Sequence, residues 1–182
     1  METSYRYSRV HTILSAFFAL TFILQGISGS AQTKGGSYGE KTAFIISKID
    51  EAVAREFQEA WRVSRNGADG FESVVLVYPT IDGSISARSQ GKSREQNQFT
   101  FGWTSNIIAV VHTHPNGIDP KPAGEDLRLA DRFRVPVFTI TKRGMYVYDP
   151  NTRKTSLVQD GLDWLDAAKW DQARAVQKTI AY

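Results

Sequence analysis

Apolar residues recur at helical spacing over residues 41–63 of this chain. The positions on this apolar face are Ile45, Ile49, Ala52, Val53, Phe57, Ala60 and Trp61. Intervals of three and four residues bring such side chains to one side of a helix, where they pack against a core. The pattern therefore predicts one long, core-covering helix over residues 41–63, and the glycine-containing residues 66–70 end it.

Shorter apolar runs between turn residues predict strands. Residues 72–78 are almost continuously apolar after Glu72, as expected for a strand that is buried on both faces. The dipeptide Asp82-Gly83 favours a hairpin turn, and residues 84–89 form the weaker returning strand. Residues 89–97 are polar and predict a mobile connection.

Aromatic residues alternate with small or polar ones at Phe99, Phe101 and Trp103. Alternation with a period of two is typical of a strand that turns one face to the core. The segment is either a short edge strand or an aromatic pad. Covering the core is the simpler role for these rings, and a surface on which a substrate stacks is the alternative.

The second half of the chain contains further strands around one helix. Residues 107–111 predict a buried strand, residues 125–133 a helix, and residues 135–141 and 145–148 two paired strands. Residues 162–175 predict a tail helix that docks on the sheet. The fold class predicted from this order is α+β, a mixed β-sheet between the long N-terminal helix and the later helix in an α/β/α three-layer sandwich.

The first 31 residues have the order of a secretory signal peptide. Arg6 and Arg9 precede an apolar stretch of about a dozen residues, and residues 29–31 supply the small side chains of a cleavage site near Ala31. The stretch is shorter than the roughly 20 residues of a membrane span. We expect a periplasmic or secreted mature chain that begins near Gln32, and a retained N-terminal anchor is the alternative.

Composition and charge narrow the classes of function. Removing residues 1–31 takes away Arg6, Arg9 and Glu2 and lowers the net charge from +3 to +2, too little to favour a nucleic acid or an anionic membrane as partner. The chain has no cysteine, which excludes disulfides, thiolate metal sites and a cysteine nucleophile. The core alone has to stabilise the exported protein.

Two histidines lie where the buried strand at residues 107–111 runs into a loop. His112 and His114 are two residues apart and therefore share a face of the strand, and Pro115 turns the chain away. Asp126, in the first turn of the next predicted helix, is the nearest carboxylate that could complete a three-ligand zinc site. His11 lies in the predicted signal peptide, so the mature chain has no other histidine.

These residues resemble the JAMM metalloprotease signature of the JAB/MPN family. The family motif is His-x-His-Pro at a strand end, then a short loop, a Ser, two residues and an Asp, with a Glu on an earlier strand. Here the matching residues are His112, His114, Pro115, Asp126 and Glu72, and the loop reads like that of RadC-type bacterial members with about one extra residue. The resemblance covers roughly residues 40–150 and rests on four or five positions.

One position departs from the family motif. Ala123 stands where the family has the Ser that helps to stabilise the reacting oxygen. Metal binding by the other residues does not depend on this hydroxyl, but efficient catalysis in the family does.

The resemblance implies a zinc-dependent peptidase or isopeptidase in which Zn²⁺ is held by His112, His114 and Asp126. Glu72 would be the general base for a zinc-bound water, whose pKa the metal lowers towards about 7. The partner would be a peptide or protein substrate, and export places it in the cell envelope. The alternative is a catalytically weak or inactive metal-binding module that recognises a protein partner, as Ala123 favours.

The predicted layout of the chain has four parts. They are a signal peptide at residues 1–31, a flexible leader at 32–40, a JAB/MPN-like metal-binding domain at 41–150 and a C-terminal helical extension at 151–182.

Overall fold

A computed structural model describes residues 39–96 and 98–166 of this chain, together with the backbone of a short strand near the N-terminus. The helices and strands in chain order are β1 (Thr3–Arg6), α1 (Glu40–Ser47), α2 (Glu51–Val63), β2 (Ser73–Pro79), β3 (Ile85–Lys92), β4 (Thr100–Trp103), β5 (Ala109–Thr113), α3 (Glu125–Phe133), β6 (Val137–Thr141), β7 (Gly144–Asp149) and β8 (Lys154–Asp160). A 3₁₀ turn, Asp163–Leu165, follows β8.

Six of the strands form one open, mixed sheet. Their order is β3-β2-β5-β6-β7-β8, and β5 and β6 are parallel while the other neighbours are antiparallel. The parallel pair requires a crossover connection, which α3 provides. The α+β class and the mixed sheet predicted from the sequence are thereby confirmed.

Helices cover both faces of this sheet. On one face, alternate strand residues such as Val75, Val111 and Phe138 pack in a core with Phe57 and Trp61 of α2. On the other face, the remaining strand residues form a second core with α3 and β4; its members are Val74, Leu76, Phe99, Phe101, Ile107, Val110, Leu129, Ala130, Val137 and Tyr148. Among the described residues, α2 therefore packs on one face of the sheet and α3 on the other.

The prediction of one long helix over residues 41–63 was wrong. The chain forms two helices, α1 and α2, separated at residues 48–50. Asp50 adopts an extended backbone conformation and its side chain accepts a hydrogen bond from the N–H of Val53 at 2.9 Å. This N-cap satisfies a backbone donor at the start of α2, which favours a new helix over continuation of α1.

The sheet extends further than the sequence pattern predicts. Strand β8 lies in residues 151–182, for which the pattern predicts a helical extension, and it pairs antiparallel with β7. Strand β3 also continues to Lys92, which pairs with Ser73, so that part of the predicted polar connection belongs to the hairpin. Of the tail helix predicted at residues 162–175, only residues 162–166 are described, and they contain the 3₁₀ turn; the rest lies outside the described residues.

Strand β4 contains Phe101 and Trp103, with Phe99 directly before it, and belongs to a separate two-stranded sheet with β1. Phe99 and Phe101 are 4% exposed, so their rings cover the core on the α3 side, which is the simpler of the two predicted roles. Apart from the four residues of β1, the predicted signal peptide lies outside the described residues, and so do residues 32–38 of the predicted flexible leader. Within the described part of the chain, no helix has both the length and the apolar character needed to cross a membrane.

Asp149 connects the end of β7 to the start of α1. Its carboxylate accepts hydrogen bonds from the Thr42 hydroxyl and from the backbone N–H groups of Gly39, Asn151 and Thr152. Burial raises the pKa of this carboxyl, but these four donors lower it by more, and the resulting pKa lies below the ordinary 3.8. The folded state therefore favours the charged carboxylate.

We expect Asp149→Asn to destabilise the protein by about 1–3 kcal/mol at neutral pH. The NH2 group of asparagine is itself a hydrogen-bond donor, so it cannot accept the hydrogen bonds that the carboxylate oxygen accepts. Since the folded pKa is depressed, this stabilisation is present above pH 3.8 and is lost as the pH falls through the folded pKa. Urea unfolding at several pH values measures both effects. Asp160→Asn, an exposed substitution at the end of β8, is the control and should change stability by less than about 0.5 kcal/mol. Equal effects of both substitutions at neutral pH would contradict this role for Asp149.

Candidate metal centre

Strand β5 places the two histidines at the buried edge between the sheet and α3. His112 lies in β5 and pairs with Val74 of β2 and with Thr139 of β6. His114 follows the strand and is held by its backbone N–H, which donates to the Ile140 carbonyl at 2.9 Å. The side chains of His112 and His114 are both 0% exposed, so both imidazoles are inside the protein.

Helix α3 places Asp126 opposite these histidines. The helix begins after Gly124, whose φ of 54° and ψ of −108° strongly favour glycine. Asp126 lies in the first turn, where the helix dipole stabilises a negative charge, and its Oδ2 accepts a hydrogen bond from the Ala123 N–H at 2.9 Å. Its side chain is 0% exposed. The helix bounds predicted from the sequence, residues 125–133, are confirmed.

The three side chains direct ligand atoms towards one point. His112 Nε2 lies 3.0 Å from His114 Nε2 and 3.1 Å from Asp126 Oδ1, and His114 Nε2 lies 3.7 Å from Asp126 Oδ2. Zinc bound tetrahedrally at about 2.0–2.1 Å requires ligand atoms roughly 3.3 Å apart. The distances in this protein bracket that value, so the group fits a transition-metal ion.

A backbone carbonyl fixes the proton on His114. The Nδ1 atom lies 2.8 Å from the carbonyl oxygen of Asp119. A carbonyl can only accept, so Nδ1 carries the proton and donates it, and Nε2 of the neutral ring keeps its lone pair. His114 is therefore in the tautomer that presents Nε2 as a ligand.

The electrostatics of the site favour an ionised Asp126. Burial raises the pKa of its carboxyl, but the attraction of the His112 imidazole and a hydrogen bond from it outweigh burial. The resulting pKa lies well below the ordinary value of 3.8. A carboxylate with two imidazoles in a water-poor position is a donor set that divalent zinc accepts.

Glu72 lies beside this group without belonging to it. Extending the pairing of Val74 with His112 by two residues places Glu72 opposite His114 and on the same face of the sheet. A hydrogen bond of 2.9 Å from the Ser73 N–H to the Thr113 hydroxyl shows that the strands remain adjacent there. Glu72 is 0% exposed, so the expectation that it is buried is confirmed. The group of possible ligands among the described residues contains the two histidines and Asp126 but not Glu72.

A cleft of about 480 Å³ opens next to the site. It lies between the end of β3 and the start of β4, and its lining residues are Val74, Gln90, Gly91, Lys92, Ser93, Arg94, Glu95, Gln98, Phe99 and Thr100. Val74 pairs with His112, and the Phe99 ring lies 5.2 Å from the His112 ring between centroids. Two residues that line the cleft, Val74 and Phe99, are thus direct neighbours of His112.

Two residues that hold the site were missed by the sequence analysis. The Thr139 hydroxyl donates to the Pro120 carbonyl in the loop between His114 and Asp126, at 2.5 Å. The carbonyl of Gly67 accepts from the Asn116 N–H at 2.6 Å on the other side of the same loop. Neither contact has a local sequence signal, because the partners are 19 and 49 positions apart in the chain.

Gly67 allows a close approach to the strand end that contains His114. Its φ is +71°, and a Cβ atom there would lie 3.0 Å from the His114 carbonyl oxygen and 2.9 Å from the Trp61 ring. We expect Gly67→Ala to cost about 1–2 kcal/mol for the left-handed backbone and to weaken metal binding by displacing His114. Thermal unfolding and zinc titration measure these effects.

Gly83→Ala provides a matched control for this prediction. Gly83 has a similar φ of +78°, but a Cβ atom added there would have no other atom within 4 Å. Its substitution by alanine should cause a similar backbone strain and leave zinc affinity unchanged. If Gly67→Ala and Gly83→Ala had the same zinc affinity, the contact with His114 would have no role in the site.

Comparisons of the chain with protein-family models, with curated proteins and with solved structures find no match. We therefore draw the function from the chemistry of the side chains, namely two imidazoles, one ligand carboxylate and one neighbouring carboxylate that come together from β2, β5 and α3.

Proposed function

We propose that this chain is a zinc-dependent peptidase or isopeptidase of the JAMM type. The observation that carries the proposal is the convergence of buried His112, His114 and Asp126, whose nearest ligand atoms are 3.0–3.7 Å apart. Glu72 lies across the strand pair from His114. A zinc ion in this position would polarise the scissile carbonyl and make water a nucleophile at neutral pH. An open, mixed sheet with α3 after the histidine strand is compatible with a JAB/MPN-like domain.

Residues of the protein would orient the metal ligands, transfer the proton and admit the substrate. His114 is oriented by Asp119, and Asp126 is oriented by the Ala123 N–H, so two of the three ligands are fixed before a metal arrives. Glu72 would accept the proton of the attacking water and deliver it to the leaving amine as the peptide bond breaks. The substrate would enter by the cleft beside Phe99, since Phe99 both lines this cleft and lies against the His112 ring.

Peptide hydrolysis under metal control tests this proposal. The purified protein is incubated with a library of linear and isopeptide-branched peptides, and products are identified by mass spectrometry. We expect cleavage that a zinc chelator abolishes and added zinc restores. Cleavage that persists without metal would refute the mechanism. Zinc binding with no cleavage of any peptide would favour the second candidate function.

The second candidate is a metal-binding module that recognises a protein partner and has little or no activity. Ala123 favours it, because the family's Ser hydroxyl is absent from this position. The Ala123 N–H donates to Asp126 Oδ2 at 2.9 Å, so residue 123 is adjacent to a proposed ligand. A hydroxyl introduced at this position would lie near the proposed metal centre.

Ala123→Ser should therefore raise turnover if the protein is an enzyme. One preorganised donor to a reacting oxygen contributes roughly 10²-fold. We expect a smaller gain, about 10-fold, because the loop has about one residue more than that of RadC-type members. The gain should appear in kcat and be absent from Ala123→Gly, which adds no hydroxyl. Equal turnover for Ala123→Ser and wild type would show that this hydroxyl is dispensable here.

We also propose that the protein acts outside the cytoplasm, in the periplasm or as a secreted protein, after removal of residues 1–31. The order of basic, apolar and small residues in this segment supports export. Sequencing the N-terminus of the protein from an envelope fraction tests the proposal, since a start near Gln32 is expected. An intact Met1 would indicate a retained anchor instead.

A further inference from the structure

The orientation of His114 depends on a loop that has no helix or strand of its own. Residues 115–124 connect β5 to α3, and the carbonyl that accepts from His114 Nδ1 belongs to Asp119 in this loop. A loop carbonyl can rotate away with a change in one backbone dihedral, and the tautomer of His114 would then no longer be fixed. Some other contact has to hold this carbonyl in place.

Thr139 makes that contact from the neighbouring strand. It lies in β6, directly beside His112 in the parallel pair, and its side chain is 0% exposed. Its hydroxyl donates to the carbonyl of Pro120 at 2.5 Å. The proline ring fixes φ at this residue, so an anchored Pro120 carbonyl also restricts the adjacent Asp119 peptide group. A hydrogen bond of 3.0 Å from the Lys121 N–H to Asp119 Oδ1 closes the turn around it.

We propose that Thr139 is a positioning residue of the metal centre. Acting through Pro120 and the Asp119 carbonyl, it holds His114 in the Nδ1-protonated tautomer and directs Nε2 towards His112 and Asp126. The consequence for metal affinity depends on the proposed function, whereas the consequence for the tautomer does not. Outer partners of this kind typically change metal affinity by 10–100-fold when they are removed.

The surroundings of Thr139 explain why a hydroxyl there has a specific role. Val137, on the same face of β6, is 0% exposed and packs in the core on the α3 side, and Thr139 itself is 0% exposed. A hydroxyl buried on this face has a cost unless it is hydrogen-bonded, and valine would fill the same volume without that cost. The hydroxyl is directed instead at the loop that carries the His114 acceptor.

The test compares Thr139→Val with Thr139→Ser and uses a readout that needs no metal. Nitrogen-15 NMR of the metal-free protein, at a pH above the ordinary histidine pKa of about 6.5, reports which nitrogen of each imidazole carries the proton. We expect His114 to be Nδ1-protonated in wild type and in Thr139→Ser, and a mixture of tautomers in Thr139→Val. Zinc affinity, measured by chelator competition, should fall by about 10–100-fold in Thr139→Val and recover in Thr139→Ser.

Thr141→Val is the matched control on the same strand. Thr141 is also buried, but its hydroxyl donates to the Gly144 carbonyl at 3.1 Å, in the turn between β6 and β7. Its substitution should cost stability and leave the His114 tautomer and the zinc affinity unchanged. Equal losses of zinc affinity in Thr139→Val and Thr141→Val would reduce the effect to a general loosening of β6 and overturn the proposal.

The two readouts separate this proposal from the proposed function. An unchanged tautomer in Thr139→Val overturns the role of Thr139, even if the protein binds zinc. A changed tautomer in a protein that binds no zinc supports the role of Thr139 and refutes the metal centre. If Thr139→Val does not fold, Pro120→Ala keeps the hydroxyl and its acceptor but frees φ, and it should give the same mixture of tautomers; a single Nδ1-protonated form would overturn the proposal.

Discussion

Replacing Glu72 by glutamine should lower peptide turnover by about 100-fold or more while zinc remains bound. An amide has nearly the shape of the carboxylate but cannot accept a proton from water, and loss of a general base typically has this magnitude. Glu72 is suited to the role because it is fully buried at the start of β2 and lies on the same face of the sheet as His112 and His114. Steady-state kinetics and metal analysis of the same preparation measure both parts of the prediction.

Glu56→Gln is the matched control for this substitution. Glu56 is a partly buried glutamate of α2 on the opposite face of the sheet, where it accepts a hydrogen bond from the Ser89 N–H at 2.8 Å. A glutamine can keep that bond, so activity should be unchanged. Full activity of Glu72→Gln would show that the mechanism is wrong even in a protein that contains zinc.

Removing a ligand side chain should abolish stoichiometric zinc binding. For His114→Ala and Asp126→Ala we expect affinities at least about 100-fold below wild type, because losing an outer partner alone reaches that range. Each substitution removes one of three buried ligand side chains, whose nearest ligand atoms are 3.0–3.7 Å apart. Zinc titration in the presence of a competing chelator measures the loss.

Asp131→Ala controls for damage to α3. Asp131 lies on the same helix as Asp126 but is exposed, and it accepts a hydrogen bond from the Tyr148 hydroxyl at 3.1 Å. This variant should bind zinc like the wild type. Full zinc occupancy in both His114→Ala and Asp126→Ala would place the metal elsewhere in the protein, if it binds one at all.

The parts of the site that the sequence predicted have strong local signals. Alternation along a strand places His112 and His114 on one face, and Pro115 marks the strand end, so the pair could be located without a structure. The apolar positions of residues 125–133 and the acidic first turn define α3 and hence the place of Asp126. Burial of Glu72 follows from the continuous apolar run behind it.

The parts that were missed depend on weak patterns or long-range contacts. Strand β8 is an edge strand with no fully buried residue, so its sequence lacks the apolar signal of β2 or β5. The break between α1 and α2 is due to the local cap at Asp50, while the apolar period continues through it. The contacts of Gly67 and Thr139 with the loop after His114 join distant parts of the chain and leave no pattern in either segment.

X-ray absorption spectroscopy of the zinc-loaded protein tests the central claim most directly, since it reports which atoms surround the metal. The structure predicts one zinc per chain with two imidazole nitrogens at about 2.0–2.1 Å, one carboxylate oxygen and one further oxygen. Imidazole scattering equivalent to two rings in the wild type and one ring in His112→Ala would support the centre formed by His112, His114 and Asp126. Zinc without imidazole scattering, or a purified protein that binds no zinc, would contradict it.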